Sequence, residues 1–483
     1  MARIIPRNKE REFKLTELFF SVTDTKGIIK FGNDIFTRIS GYSEEELIGE
    51  PHNIIRNPDM PRAVFKLLWD YIEAGKVIAA YVKNMAKDGS FYWVTALVMP
   101  CTGGYLSVRL KPISSLFPVV QEIYADLLAV EKDIETDASR RKEAIQAGVD
   151  RLQELLTAKG FASYDEFMWL ALRTEMADRE SALTSPANGA RGTRPTILES
   201  PSVGRLPPER HSFEIRYDCC AKLDQDLRQM FVNLDTLVAL NEQLLSKAEF
   251  VLNLGEDINL LSLNASMRSK RLGDMESSRT ISAIAEKIGQ QTQANTSVLM
   301  ALNEGMTSLI APLGQLLFNI AASKLQVEMA THFIGGLLTG KKGENAEPMS
   351  GECDPSFSAY VDLLIQTSTE CIADILPALE RLYVDLNRIR LQISQLQIFV
   401  RNLQFIHFLG QVEAARTAEG IEFMPVFEEV MEQAQKADKE FKEFASVIAS
   451  NMSMMEAMRK IEHQISSNIK ILTRELSREE TMA

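Results

Sequence analysis

The stretch His52-Asn53-Ile54-Ile55-Arg56-Asn57-Pro58-Asp59-Met60-Pro61, followed by Phe65, Trp69 and Val82-Lys83-Asn84, decides how this chain is read. Pro61 sits where a first-turn proline opens a helix, and Phe65, Leu68, Trp69 and Ile72 then give that helix one apolar face up to Gly75. Upstream, the apolar runs Leu18 to Val22 and Gly27 to Phe31 flank a turn cluster that begins Thr23-Asp24-Thr25-Lys26, which predicts a hairpin. Asn33 to Ile39 reads as a short helix. Ser43-Glu44-Glu45-Glu46 is a capping box that opens another, ended by Gly49. Downstream, Val77 to Val82 and Phe91 to Met99 flank the hairpin turn Lys87-Asp88-Gly89, and Gly103-Gly104 leads into Tyr105 to Leu110. The predicted order is two strands, a set of short helices, then three strands.

That order and these residues resemble a PAS sensor domain. The string His52 to Pro61, with Phe65, Trp69 and the pair Val82-Lys83-Asn84 and Tyr92-Trp93-Val94, is similar to the flavin-binding PAS domain of bacterial aerotaxis receptors. The resemblance implies FAD as cofactor, with Asn33, Arg56, Asn57, Asp59, Phe65, Trp69 and Asn84 as the residues that hold it. Residue chemistry agrees. Arg56 offers a fork of N–H groups to a pyrophosphate, and Asn33 and Asn84 each offer a donor and an acceptor to the isoalloxazine edge. Phe65 and Trp69 wall the ring, and Asp59 orients Arg56. Asn57 stands where the family has His, which keeps hydrogen bonding and loses a titratable ring. Structural readings of the same residues stand beside these: a loop ion pair for Arg56 and Asp59, a core position for Trp69, a turn or helix cap for Asn33.

Two other PAS chemistries can be weighed. A light-sensing site needs a cysteine in an Asn-Cys-Arg-like string, and here Ile54 follows Asn53. Haem, the less favoured cofactor, needs an axial ligand, and His52 is the only histidine in this region.

Beyond residue 112 the pattern becomes helical. Val120, Ile123, Leu127 and Val130 recur at helical spacing directly after the last strand, and two more helical stretches reach about residue 180. Ser181 to Pro208 collects Pro, Gly, Ser, Thr and Arg, the composition of a flexible linker. Aerotaxis receptors carry a membrane anchor after the PAS module, and the chain departs from that pattern. Leu223, Leu227, Met230, Leu234, Leu237, Asn241, Leu244, Ala248 and Val251 follow alternating four- and three-residue steps. So do Leu379, Leu382, Leu386, Ile389, Ile393, Leu396, Val400 and Leu403. A sustained period of this kind is the seam of a coiled coil or long-helix bundle. Each long helix meets a small polar segment, Arg271 to Asp274 and Thr417 to Gly420, before a second helix, so two antiparallel hairpins are expected. Pro312-Leu313-Gly314 is expected to kink or break the first return helix.

The two hairpin tips resemble each other and the signalling tip of methyl-accepting chemotaxis receptors. The first keeps Asn259, Leu260, Leu261, Leu263, Asn264, Ala265, Arg271 and Gly273. The second keeps Glu413-Ala414-Ala415-Arg416. The resemblance implies the chemotaxis histidine kinase and its coupling protein as partners, contacted by Arg271, Glu413 and Arg416, with Leu260 and Phe408 nearby in the bundle. A solvated helix charge is the structural reading of each charged residue. Family receptors pair two hairpins from two chains; with two hairpins in this chain, either one chain builds the bundle alone or a homodimer builds something larger.

Composition narrows the remaining classes. The 483 residues carry a formal charge of -13, which opposes non-specific nucleic-acid binding. No run of about 18 apolar residues is evident, so no membrane span and a cytoplasmic location are expected. The five cysteines lack metal-ligand spacing. No glycine-rich phosphate loop or nucleophile elbow appears, His407 lies on the apolar seam, and His332 and His463 lack a kinase phosphorylation context, so catalysis is not expected. The expectation is an α+β PAS domain over 1–112, with a five-stranded antiparallel sheet and short helices. Connecting helices over 113–180 and a linker over 181–212 follow. An all-α coiled-coil or four-helix bundle is then built from hairpins 213–345 and 346–483. Its expected function is redox or oxygen sensing coupled to chemotaxis. The alternative is a PAS-gated scaffold for a partner outside chemotaxis.

Overall fold

Alternating apolar residues at both ends of the first 112 residues pair into one sheet, because each end can bury only one row of side chains alone. A computed structural model of the chain describes residues 4–184, 208–271, 276–339, 355–416, 421 and 424–480. Its elements open with β1 (Phe19–Asp24), β2 (Ile29–Gly32), α1 (Asp34–Ser40) and α2 (Glu44–Leu47). A 3-10 turn at His52–Ile55, α3 (Arg62–Glu73), β3 (Ile78–Met85), β4 (Phe91–Cys101) and β5 (Gly104–Leu110) follow. The strands form one antiparallel sheet in the order β2-β1-β5-β4-β3, so the first and last strands meet at its centre. Register puts Ser21 opposite Ser107, and Arg109 between Phe19 and Ala96. The five-stranded PAS architecture expected from the sequence is present, and the rest of the chain is largely long helices.

Three helices continue from β5: α4 (Leu116–Ile134), α5 (Arg141–Ala158) and α6 (Tyr164–Thr184). The rings of Tyr81 and Trp93 pack on Phe117 at the start of α4, and the hydroxyls of Tyr124 and Tyr164 donate to the carbonyls of Tyr81 and Ala79. α4 and α6 therefore cover one face of the sheet and leave the other to α3, against which α5 packs at Gly148 and Ala63. Of the linker expected over 181–212, residues 185–207 lie outside the described residues, whereas 181–184 end α6 and 208–212 open the next helix, so the irregular stretch is shorter at both ends than composition suggested.

The remaining helices are α7 (Pro208–Val232), α8 (Leu234–Arg271), α9 (Glu276–Thr339), α10 (Pro355–Ala373), α11 (Ile375–Ala414) and α12 (Met424–Glu480). Both hairpin turns, 272–275 and 417–420, lie outside the described residues. The chain divides into two compact units. One joins Met1–Phe231 with Leu317–Ile375 and His463–Ala483; the other joins Val232–Leu316 with Leu376–Glu462. In the first, Phe333 and Tyr360 pack on Phe31 of β2. In the second, Lys247 of α8 pairs with Glu440 of α12, Phe250 meets Phe441, and Arg459 of α12 pairs with Glu380 of α11 at 3.1 Å. Buried positions on α11 recur from Leu379 to Ala414 in steps of three and four, as the periodicity requires.

Two expectations are corrected here. The helix does not break at Pro312: α9 runs from Glu276 to Thr339 with the proline inside. Leu309, Leu313 and Leu316 are buried on both sides of it, and that packing outweighs the one backbone hydrogen bond proline forfeits. Among the described residues, a stretch within Arg279–Leu338 does have the length and apolarity to cross a membrane, and half of it is buried inside the protein. In the first unit the same helix carries the buried charges Lys324 and Glu328, paired with Glu180 and Arg179, which is the chemistry of a packed core helix.

Candidate functional site

On the sheet face opposite α4 and α6, alternate residues of four strands point toward α3 and the 3-10 turn. They enclose a cavity of about 290 Å³, close to the lower bound for small-molecule sites. Ser21, Val82, Asn84, Val98, Tyr105, Ser107 and Arg109 form its floor. His52, Arg56, Phe65, Leu68 and Trp69 form its roof, and Gly27 and Pro51 close one end. Gly27 has φ 77°, and a side chain there would strike the Trp69 ring at 3.0 Å, so glycine is required at that wall.

The electrostatics centre on Arg109, which is 4% exposed. One guanidinium nitrogen donates to Ser21 Oγ at 3.0 Å and to His52 Nε2 at 2.6 Å, while the other, NH1, has no hydrogen-bond partner. Among the described residues no carboxylate pairs with it. Besides those two neutral acceptors, the rings of Phe36 and Phe19 face its charge at 5.4 and 5.8 Å. Burial lowers its pKa to about 10. For His52, burial and then Arg109 lower the pKa to about 3, so the ring is neutral with its proton on Nδ1 and Nε2 accepting from Arg109. That lone pair is not free for a haem iron. Asn84 Nδ2 and Ser107 Oγ are likewise buried without a partner on the same wall. Buried donors left unpaired are costly, and three of them facing one apolar cavity are complementary to a flat ligand with carbonyl or anionic edges. A flavin's isoalloxazine is of that kind.

Of the seven residues expected to hold the cofactor, the structure brings Arg56, Phe65, Trp69 and Asn84 to this cavity. The Arg56 guanidinium lies over the Phe65 ring at 4.3 Å and donates to the Met60 carbonyl at 3.4 Å. Burial, then Arg62, holds its pKa below the ordinary value. With the exposed Lys26 and Asn53 it marks the cavity mouth. The other three residues do not line this cavity. Asn33 caps α1: its Oδ1 accepts from Phe36 and Phe20 N–H, and its Nδ2 donates to the Leu18 carbonyl, so both ends of the amide are engaged in the cap. Asn57 is buried and turns its own loop by accepting from Asp59 N–H at 2.9 Å. Asp59 pairs with Lys83 at 2.9 Å and does not orient Arg56. Arg109, Ser107 and Ser21 were missed from sequence, and His52 was considered only as an iron ligand. The available signal was the polar residue at every second position of Tyr105 to Arg109, above all a charge in a strand.

Sequence also missed two carboxylates that tie helices to the site's walls. Glu131 of α4 accepts from Arg62 N–H and Ala63 N–H, both at 2.7 Å, and so caps the helix that carries Phe65 and Trp69. Glu175 of α6, fully buried, accepts from Tyr81 Oη at 2.8 Å, Ser114 Oγ at 2.6 Å and Ile113 N–H at 2.7 Å, just beyond the end of β5. One turn further on, Arg179 donates to the Leu15 carbonyl at 2.8 Å and makes a two-bond pair with Glu328 of α9 at 2.9 and 3.0 Å. Burial raises the Glu328 pKa, and Arg179 and Lys324 more than reverse that, to about 2.

None of the expected partner residues lines this cavity. Arg271 ends α8, and its side chain is outside the described residues. Glu413 and Arg416 pair with each other at 3.0 Å. Leu260 and Phe408 are each 59% exposed and so are not in the bundle core. His407 is buried on the seam, as expected, with neither ring nitrogen bonded.

Residues 29–102 match the PAS fold family. The aerotaxis receptor of Escherichia coli (strain K12) is 38% identical over 114 residues, 23% of this chain and 22% of that protein. The nitrogen fixation regulatory protein of Klebsiella pneumoniae is 26% identical over 80 residues, 17% of this chain and 16% of that one. The chain thus spans less than a quarter of the length of these curated relatives. Similar solved structures include a PAS domain from Colwellia psychrerythraea, 23% identical, covering 20% of this chain and 85% of that one with a TM-score of 0.17. The light-state Aureochrome1 LOV photoreceptor is 26% identical and covers 24% and 91%, with a TM-score of 0.18.

Proposed function

We propose that this chain is a redox or oxygen sensor, not an enzyme, whose cavity takes FAD and whose helices carry the response to the chemotaxis histidine kinase and its coupling protein. The observation that carries the reading is Arg109, a buried cation with a free N–H on the cavity wall beside the unpaired donors of Asn84 and Ser107. The 38% identity with an aerotaxis receptor over 114 residues supports the sensory reading. A bound flavin supplies a reversible redox centre. Arg109, Asn84 and Ser107 would hold its polar edge, Phe65 and Trp69 would wall its apolar body, and Arg56 with Lys26 would offer cationic donors at the mouth to a pyrophosphate.

Signal transfer uses the two carboxylate ties. A change of charge in the cavity would act first on Arg109, the more deeply buried of the two arginines that line it, and hence on its bonds to His52 and Ser21. Beyond β5 the chain is gripped by Glu175, so a shift of the strand pulls on α6, and Arg179 one turn away passes it to Glu328 on α9. Glu131 couples the opposite wall to α4 in the same way. Two discrete arrangements of such a network are what a switch requires. The second reading, a scaffold for a partner outside chemotaxis, is favoured by one observation: Glu413 and Arg416 satisfy each other.

The test starts with the absorption spectrum of the purified full chain before and after incubation with FAD. The two visible flavin bands, releasable as FAD, are expected, followed by reduction-dependent binding to the kinase and coupling protein. A protein that stays colourless refutes the flavin reading. A flavoprotein that binds neither partner in either redox state moves the output to the scaffold.

A further inference from the structure

A second cavity lies against the one described above. It encloses about 610 Å³, and Tyr42, Ile54, Met60, Met85 and Leu128 line it together with Lys132 and Glu135. Asn53 and Arg56 line both cavities and so form the wall the two share. Tyr42, Met60 and Met85 are buried residues, which makes the floor of this outer cavity apolar. Arg56 stands in the shared wall without an acid. Among the described residues its guanidinium makes one hydrogen bond, 3.4 Å to the Met60 carbonyl, and no ion pair. The two carboxylates whose charge reaches it are engaged elsewhere: Glu131 caps α3, and Glu135 pairs with Arg62 and Arg141. A half-buried cation between two largely apolar cavities suits an anion that joins two ring systems.

We infer that the outer cavity seats the adenine half of the dinucleotide, with the pyrophosphate at Arg56, so that the site selects FAD over FMN. This rests on the flavin reading above and adds a second binding region to it. At about 290 Å³ the inner cavity is close to the lower bound for a small-molecule site, room for the isoalloxazine but not for a whole dinucleotide. An FMN would end its phosphate at Arg56 and leave the outer cavity to water. An adenine would instead bury its flat face against the Tyr42 ring and the pliable side chains of Met60 and Met85, contacts that hold a purine without reading its hydrogen-bonding edge. The Tyr42 hydroxyl donates to the Ile54 carbonyl at 3.4 Å, which ties that ring to the segment carrying Arg56. Lys132 and Glu135 offer a donor and acceptors to the ribose.

The experiment is titration of the ligand-free full chain with FAD, FMN and riboflavin, read by flavin fluorescence, with Leu128→Trp beside the parent. Leu128 lines the outer cavity and not the inner one, so the larger ring fills the first and spares the second. The parent is expected to bind FAD about tenfold more tightly than FMN, within the range that stacking a base on an aromatic ring supplies. Leu128→Trp is expected to abolish that preference and to keep the parent's FMN affinity, which also shows that it is folded. ADP is expected to compete with FAD and not with riboflavin, which lacks the phosphates. A parent that binds FAD and FMN equally, or a Leu128→Trp chain that still prefers FAD, overturns the adenine seat and leaves the flavin reading standing. If Leu128→Trp loses FMN as well, the competition decides: ADP that displaces riboflavin, or leaves FAD in place, overturns the inference. A parent that takes none of the three flavins overturns both readings.

Discussion

Replacing Arg109 with Met separates the cost of the candidate site from its use. A pKa lowered from 12.5 to about 10 corresponds to about 3 kcal/mol lost, below pH 10, by keeping the guanidinium charged in its buried setting. Methionine keeps an unbranched side chain without the charge. Two hydrogen bonds are lost, to Ser21 and His52, at about 1 kcal/mol together, because those two groups already lie 3.2 Å apart and can satisfy each other. The ligand-free variant is therefore expected to be more stable than the parent by about 2 kcal/mol. FAD affinity should fall about 10- to 100-fold, the value of a lost charge-assisted hydrogen bond. All three tryptophans, Trp69, Trp93 and Trp169, lie in the unit that contains the cavity, so their fluorescence in urea follows the relevant unfolding. Affinity is read from flavin titration of the full chain. A variant that loses stability while holding FAD as tightly as the parent refutes the assignment of Arg109 as a ligand-directed cation.

Glu328→Ala leaves Arg179 charged and buried without its partner, and is expected to cost about 3–5 kcal/mol in denaturant unfolding. The double variant Arg179→Met/Glu328→Met should recover most of that loss; a double variant as unstable as the single one refutes the pairing. In the parent, the Glu328 contribution is present above pH 4.5 and is lost as pH falls from there toward about 2, because its folded pKa is depressed. His52, held at about pKa 3, stays neutral from about pH 5 to 8, so FAD affinity should show no step from this group in that window. A step there that His52→Gln abolishes contradicts the neutral, Arg109-accepting ring.

The sequence by itself determined the elements and part of the site. The hairpin at residues 18–31, the capping box at Ser43, the helix opened by Pro61 and the heptad seam of α11 follow from backbone period and terminal chemistry, which neighbouring residues carry locally. Arg56, Phe65, Trp69 and Asn84, which a recognisable string and its paired strand single out, line the cavity. Asn33, Asn57 and Asp59, singled out with them, lie off it in a helix cap, a turn and an ion pair. A side chain able to bind a ligand can equally cap a helix or close a turn, and local sequence does not say which bond forms. Three features come from the tertiary fold alone: β5 lies between β1 and β4, Arg109 is thereby buried with no carboxylate partner among the described residues, and Glu131, Glu175 and Arg179 grip the walls from helices far along the chain. The physical reason is that the free energy of a buried charge or an unpaired donor belongs to everything packed around it. Those neighbours come from segments the local pattern cannot see.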